Sequence, residues 1–186
     1  MKKLFYLLII TLFLSSISVH AANRFTVTVS GNYLVPSDGN YKDIYGNEAL
    51  YPEIKARYKI YRNFFIWAGY GFHSDKGTTI STLNMDAESD QHFFSFGAGF
   101  QGRLSSPLEY KLEAGAVNFN YKEKAMGEEI SGSVLGIRFE GGLAVNIVNP
   151  LFAEVSVGYT KASDTIDGLS IKFGGFKTAV GLGVKF

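Results

Sequence analysis

Strict two-residue alternation recurs in eight separate stretches of this chain, and the connections between them alternate long and short. The last stretch, Lys172 to Phe186, shows the pattern most plainly. Phe176, Thr178, Val180, Leu182, Val184 and Phe186 share one face, while Gly175, Lys177, Ala179, Gly181, Gly183 and Lys185 share the other. Successive side chains of a strand point to opposite faces, so bulky apolar against small or charged means two very different environments. The earlier stretches are Arg24–Val35, Ala49–Tyr61, Phe64–Ser74, Gln91–Arg103, Leu108–Lys122, Ser131–Asn146 and Leu151–Lys161. Phase blurs only at Asn118-Phe119-Asn120, where the pattern predicts a bulge. Tight turns at Arg62-Asn63, Ser105-Ser106-Pro107 and Asn149-Pro150 alternate with polar loops over residues 36–48, 75–90, 123–130 and 162–171.

An even antiparallel meander of alternating segments, with short turns at one rim and long loops at the other, is the pattern of a transmembrane β-barrel. The predicted fold is therefore all-β, a closed antiparallel eight-stranded transmembrane β-barrel in up-and-down order. Each stretch reaches across a bilayer when tilted, which takes about 9–11 residues. A soluble barrel alternates too, and volume separates the two. An eight-stranded barrel has an interior just wide enough for side chains to fill. All the Phe, Tyr, Leu, Ile and Val of the apolar faces would overfill it, so those faces point to lipid and the Gly-, Ala- and Ser-rich faces point inward. Closure also leaves no backbone polar group unpaired in hydrocarbon. Aromatic girdles are expected at Tyr58, Tyr61, Tyr110, Phe152 and Phe186 near the short turns, and at Tyr33, Tyr70, Phe72 and Tyr159 near the long loops.

The N-terminus reads as an export signal. Lys2 and Lys3 precede an apolar run from Leu4 to Leu14, and Val19-His20-Ala21 supplies a small-x-small cleavage pattern. Residues 1–21 are read as a cleaved signal peptide, with Ala22 as the alternative cut, and residues 22–186 as the barrel domain. Losing Lys2 and Lys3 leaves 16 of the 18 basic residues against 17 acidic ones, a balance that points away from nucleic acid. With no cysteine there is no disulfide, thiolate site or lipid-modified cysteine.

The signal, the eight alternating strands and the terminal Gly-Leu-Gly-Val-Lys-Phe resemble the small outer-membrane β-barrels of the OmpA/OmpX and opacity type. The likeness spans the mature chain and brings no catalytic motif. It implies a Gram-negative outer membrane, with lipid and lipopolysaccharide around the barrel. It also implies extracellular loops, periplasmic turns and a periplasmic C-terminus. The C-terminal Phe186, with Val184 and Leu182 before it, resembles the signal read by the barrel-assembly machinery. The resemblance departs from full-length OmpA at its periplasmic peptidoglycan-binding domain, which has no counterpart in these residues, so cell-wall anchoring is not expected.

Parity places Glu53, Lys55, Arg57, Lys59, Arg103, Glu109, Lys111, Glu113, Arg138, Glu140, Glu154, Lys177 and Lys185 inside. A structural salt-bridge network that plugs the lumen is the leading reading, because an uncompensated buried ion is costly. The alternative is a narrow gated channel in which the pairs rearrange. A lipid-modifying enzyme would need a nucleophile, base and orienting acid within reach. The candidates are His73 and His92 with Ser74, Asp75, Ser89 and Asp90, and parity puts the two histidines on opposite faces. No catalytic, cofactor or metal site is therefore assigned. The loops, with Tyr41, Ile44, Tyr45, Ile80, Leu83, Met85, Ile166 and Leu169, are the candidate contacts for an extracellular partner, or pack on one another above the barrel.

Overall fold

The structure is a computed structural model, and it describes residues 24–78, 86–125, 128–166 and 169–186. Eight strands run in chain order around a closed barrel, every neighbouring pair antiparallel. They are β1 (Phe25–Pro36), β2 (Ala49–Tyr61), β3 (Phe64–Thr78), β4 (Asp86–Arg103), β5 (Leu108–Ala125), β6 (Glu128–Val148), β7 (Leu151–Ile166) and β8 (Leu169–Lys185). One short helix, α1 (Gly39–Tyr45), follows β1. β8 closes the ring on β1 in register from Thr26 opposite Lys185 to Pro36 opposite Gly175. The amides of Phe25 and Phe186 each donate to the other's carbonyl at the seam, at 3.2 and 2.7 Å.

The bulky faces turn outward as volume requires. Val180 and Leu182 are 68% and 65% exposed, with Ile54, Phe64, Phe96, Leu112, Ile137 and Val157 on the same outer surface. The inner faces carry more aromatic mass than the sequence suggested. Phe65, Trp67, Phe93, Phe119 and Phe173 are buried inside, and so is Phe152, which the girdle expectation had placed outside. Glycines opposite make the room. A Cβ on Gly183 would sit 2.2 Å from the Phe152 ring, and one on Gly71 would sit 2.5 Å from Phe93.

The bulge expected at Asn118–Asn120 does not form. β5 keeps unbroken register with β4 and β6 from Ala125 back to Glu109, and the register shifts lie instead at Lys59/Tyr61 and Asn146/Val148, beside short turns. At Asn118 the strand geometry continues while the chemistry of its two faces exchanges. Below it the outward residues are apolar; at and above it Asn118 and Asn120 face out while Val117, Phe119 and Tyr121 turn in. Of the four segments expected to be long loops, the last three are largely strand, while the first holds α1. β3 extends to Thr78 and β4 starts at Asp86, and the β5–β6 and β7–β8 hairpins rise similarly. Ile80, Leu83 and Met85, and the signal segment, lie outside the described residues.

Candidate functional site: the lumen and its two mouths

The lower lumen is crossed by one chain of ion pairs, with cations and carboxylates in strict alternation. Lys177 meets Glu53 at 3.2 Å, and Glu53 meets Arg138 at 2.8 Å. Arg138 holds Glu140 at 2.6 Å, and Lys55 bridges Glu140 at 2.8 Å to Glu113 at 2.6 Å. Arg57 then links Glu113 and Glu154, both at 2.6 Å, and Lys111 closes on Glu154. Five strands contribute: β2, β5, β6, β7 and β8. Lys177 also reaches Glu140 at 2.7 Å, turning one end of the chain into a closed loop.

Neutral partners complete the shell. Arg138 donates to Ser95 and Arg57 to Thr28, while Lys177 donates to Asn32. The Trp67 ring lies 5.3 Å from Lys55 Nζ and 5.4 Å from the Arg138 guanidinium carbon, distances at which the ring face attracts a cation. Only Arg138 Nε goes without a hydrogen-bond acceptor among these cations. Of the inward charges read from sequence, Glu109 and Lys185 stand apart from this chain. They form their own pair, with Lys185 bridging both Glu109 oxygens at 3.0 and 2.9 Å and Asn146 joining in. Lys59 and Arg103 lie at the same mouth, outside both groupings.

Above the ions the lumen becomes apolar. Leu34, Tyr51, Phe93, Val117, Phe119, Tyr121 and Phe173 form one buried cluster. Tyr51 meets Phe93 edge-on at 4.8 Å, and Phe119 and Tyr121 rest on Phe173 at 5.8 and 4.7 Å. The cavity left between this cluster and Arg138 is about 10 Å³, at the lower limit for a single water. Sequence reading missed this plug because its residue types are those expected outside. The inner parity of β5, carried one turn further to Val117, Phe119 and Tyr121, was the signal that would have found it.

α1 lies across the hairpin-side mouth. Asp38 caps it by accepting from the Tyr41 amide at 3.1 Å, and its second oxygen accepts from the Lys172 amide at 2.8 Å. Tyr41 donates to Asp75 at 2.5 Å and lies 3.3 Å from His73 Nε2, while Tyr45 donates to Glu123 at 2.6 Å. Burial beneath α1 holds the Glu123 carboxyl above its usual range despite hydrogen bonds from Ser89 and Tyr45, and Asp75 and Asp90 push the same way. Burial likewise raises the Tyr41 and Tyr45 phenols. The two loop tyrosines thus pack on each other, 4.7 Å between rings, and anchor to the rim.

The two histidines are not brought together. His73 is buried inside, whereas His92 lies outside, 2.8 Å from Tyr70 Oη and stacked on Phe72. Ser89 donates to Glu123 at 2.6 Å. Among the described residues, no group of three or more His, Asp or Glu side chains is placed to hold a metal.

The outer-membrane protein β-barrel domain matches this chain over residues 8–186. The chain belongs to that outer-membrane β-barrel family. Solved structures of the same fold include Neisserial surface protein A, at 16% identity and TM-score 0.63 over 87% of this chain and 97% of that one. The outer-membrane protein OprG of Pseudomonas aeruginosa aligns at 13% identity and TM-score 0.67 over 90% and 97%. The attachment invasion locus protein Ail of Yersinia pestis aligns at 15% and 0.54 over 88% and 99%. No curated protein sequence matches.

In an outer-membrane barrel the band of exposed Val, Leu, Ile and Phe meets lipid, and the exchange of face chemistry at Asn118 marks where lipid gives way to water. Tyr58, Tyr61, Tyr33, Tyr70, Phe72 and Tyr159 are exposed at the edges of that band. At the short-turn mouth of this outer-membrane barrel, a cavity of about 380 Å³ opens below the ion chain, lined by Lys59, Gln101, Arg103, Glu109, Lys111 and Lys185 among others.

Proposed function

We propose that this outer-membrane barrel is a closed, non-enzymatic scaffold whose work is done by the hairpins and α1 at one rim. The carrying observation is that the lumen is filled from the ion chain upward, by alternating ions, then an aromatic cluster, then α1 over the mouth. An eight-stranded barrel leaves little spare bore, and this one spends it on side chains. The hairpins and α1 are then extracellular, and the short turns and C-terminus are periplasmic. Residues 1–21 are the export signal and residues 22–186 the mature barrel. Phe186, with Val184 and Leu182 on the same lipid-facing parity, serves as the signal to the barrel-assembly machinery. Lipopolysaccharide faces the upper band.

A surface-interaction or adhesion role follows, since rigid barrels commonly present recognition elements at loop ends. A structural relative, Ail, has been crystallised with the heparin analogue sucrose octasulfate at TM-score 0.50, which makes sulfated glycans a reasonable first ligand to try. The test replaces the four hairpin ends, α1 included, with tight turns and keeps the strands. Cells displaying the trimmed barrel are expected to lose adherence to immobilised matrix ligands, sulfated glycan among them, relative to cells displaying the full protein. Equal adherence by both would contradict the surface role.

A further inference from the structure

Among the described residues, each of the inward carboxylates of the ion chain has a cation close by, yet two of the cations lining the short-turn cavity have no carboxylate. Lys59 and Arg103 are those two. The register places Arg103 directly opposite Glu109. Glu109, however, has turned to Lys185, which takes both of its oxygens at 3.0 and 2.9 Å, and Asn146 donates to it at 3.3 Å. Arg103's natural partner is therefore occupied.

Both free cations line the 380 Å³ cavity, where Lys111 and Lys185 add two more and Glu109 is the one lining carboxylate. Lys111 is neutralised from behind by Glu154, so the cavity keeps an excess of about two positive charges, those of Lys59 and Arg103. Its wall is not mobile chain. Lys111 and Lys185 are seated on the Phe152 ring, 4.5 and 5.4 Å from its centre, and Phe152 is fully buried. Gln101 adds an amide donor at the same level, while Asn146 lines the cavity with its own amide given to Pro107 and Glu109. A fork-shaped guanidinium, an ammonium and a neutral amide donor around a walled cavity are the groups that recognise an oxyanion, the guanidinium by paired hydrogen bonds. Low-dielectric walls focus the field of those charges into the opening.

We infer that the short-turn mouth is a binding site for a phosphate group, entering from the side of the membrane on which the turns lie. Two sources offer that chemistry: a soluble phosphate ester, or the headgroup of an anionic phospholipid in the adjoining leaflet. The ion chain stays closed above the site, so the ligand docks and does not pass. The site does not depend on what the opposite rim binds.

The test is a titration of the isotope-labelled full barrel in nanodiscs. In the first arm the nanodisc is phosphatidylcholine and glycerol 1-phosphate is added; in the second, phosphatidylglycerol replaces part of the lipid and no soluble ester is present. Saturable shifts of the Gln101 and Asn146 side-chain amides and of Arg103 Nε are expected. Their appearance in the first arm identifies the soluble source, and their appearance only in the second identifies the lipid. The variant Lys59→Gln, Arg103→Gln should weaken the response about tenfold or more, with folding verified by its heat-dependent gel mobility. Should that double variant not refold, Arg103→Gln alone carries the comparison. Lys122→Gln, Lys124→Gln, at the opposite rim, should titrate like the parent. No saturable shift in either arm, or an unchanged response in the Lys59/Arg103 variants, overturns the site.

Discussion

Glu113 holds two cations at once, Arg57 through one oxygen and Lys55 through the other. Truncating it leaves Lys55 with Glu140 alone and Arg57 with Glu154 alone, so one positive charge inside the barrel loses its counter-charge, and breaking buried pairs in this way costs about 3–5 kcal/mol. Glu129, by contrast, pairs with Lys122 and Lys124 where all three are well exposed, and an exposed pair contributes about 0–1 kcal/mol. Urea unfolding in lipid vesicles should therefore show a large loss for Glu113→Ala and a small one for Glu129→Ala; similar losses would mean the lumen is hydrated. Charge positions of this kind were legible in the sequence, because parity alone sends Glu53, Lys55 and Arg57 to one face. Their pairings were not. Which carboxylate a lysine meets depends on stagger between strands, and Arg103 shows it by lying opposite Glu109 without bonding to it.

β5 carries the clearest lesson at the scale of elements. Its alternation blurs at Asn118 because the solvent outside changes there, while the backbone runs on in register. A period-two pattern reports the contrast between two environments, so it inverts when lipid outside becomes water and ions inside become aromatics. The same cause hid the upper ends of β3 to β8, three to five residues each, whose polar outer residues read as loop. α1 was hidden for another reason: its seven residues are too few for a helical period to register, and it is held by Asp38, Asp75 and Glu123 rather than by its own propensity. Its docking should respond to pH. The docked state raises the Glu123 pKa, so it binds that proton more tightly than an open state would. The electrostatic penalty is absent below the ordinary carboxyl range, grows as pH rises through the raised value, and is complete above it. Hydrogen exchange at the α1 amides should accordingly reveal weaker protection on the alkaline side of that window, beyond the intrinsic base-catalysed rate. Glu123→Gln should flatten the dependence, and a profile unchanged by that substitution would remove Glu123 from the docking account. Tyr45→Phe, which deletes one anchor, should lower protection at every pH, and protection equal to the parent would show that anchor to be idle.

For the whole molecule, fold and membrane placement were legible because eight alternating segments with connections alternating in length admit few arrangements, and closure satisfies every strand edge. The seam at Phe25 and Phe186 completes the ring, and Phe186 sits where it can pack on Phe25, 6.1 Å between rings. Deleting Phe186 should reduce insertion into the outer membrane of cells far more than it reduces refolding into detergent; equal loss in both settings would limit its role to packing. The central claim is that ions, aromatics and α1 together close the lumen. Single-channel recording in planar bilayers tests it most directly. A silent baseline across the applied voltage range is predicted for the folded barrel. Steady, discrete openings that vanish on substitution of Arg138 or Glu109 would contradict it.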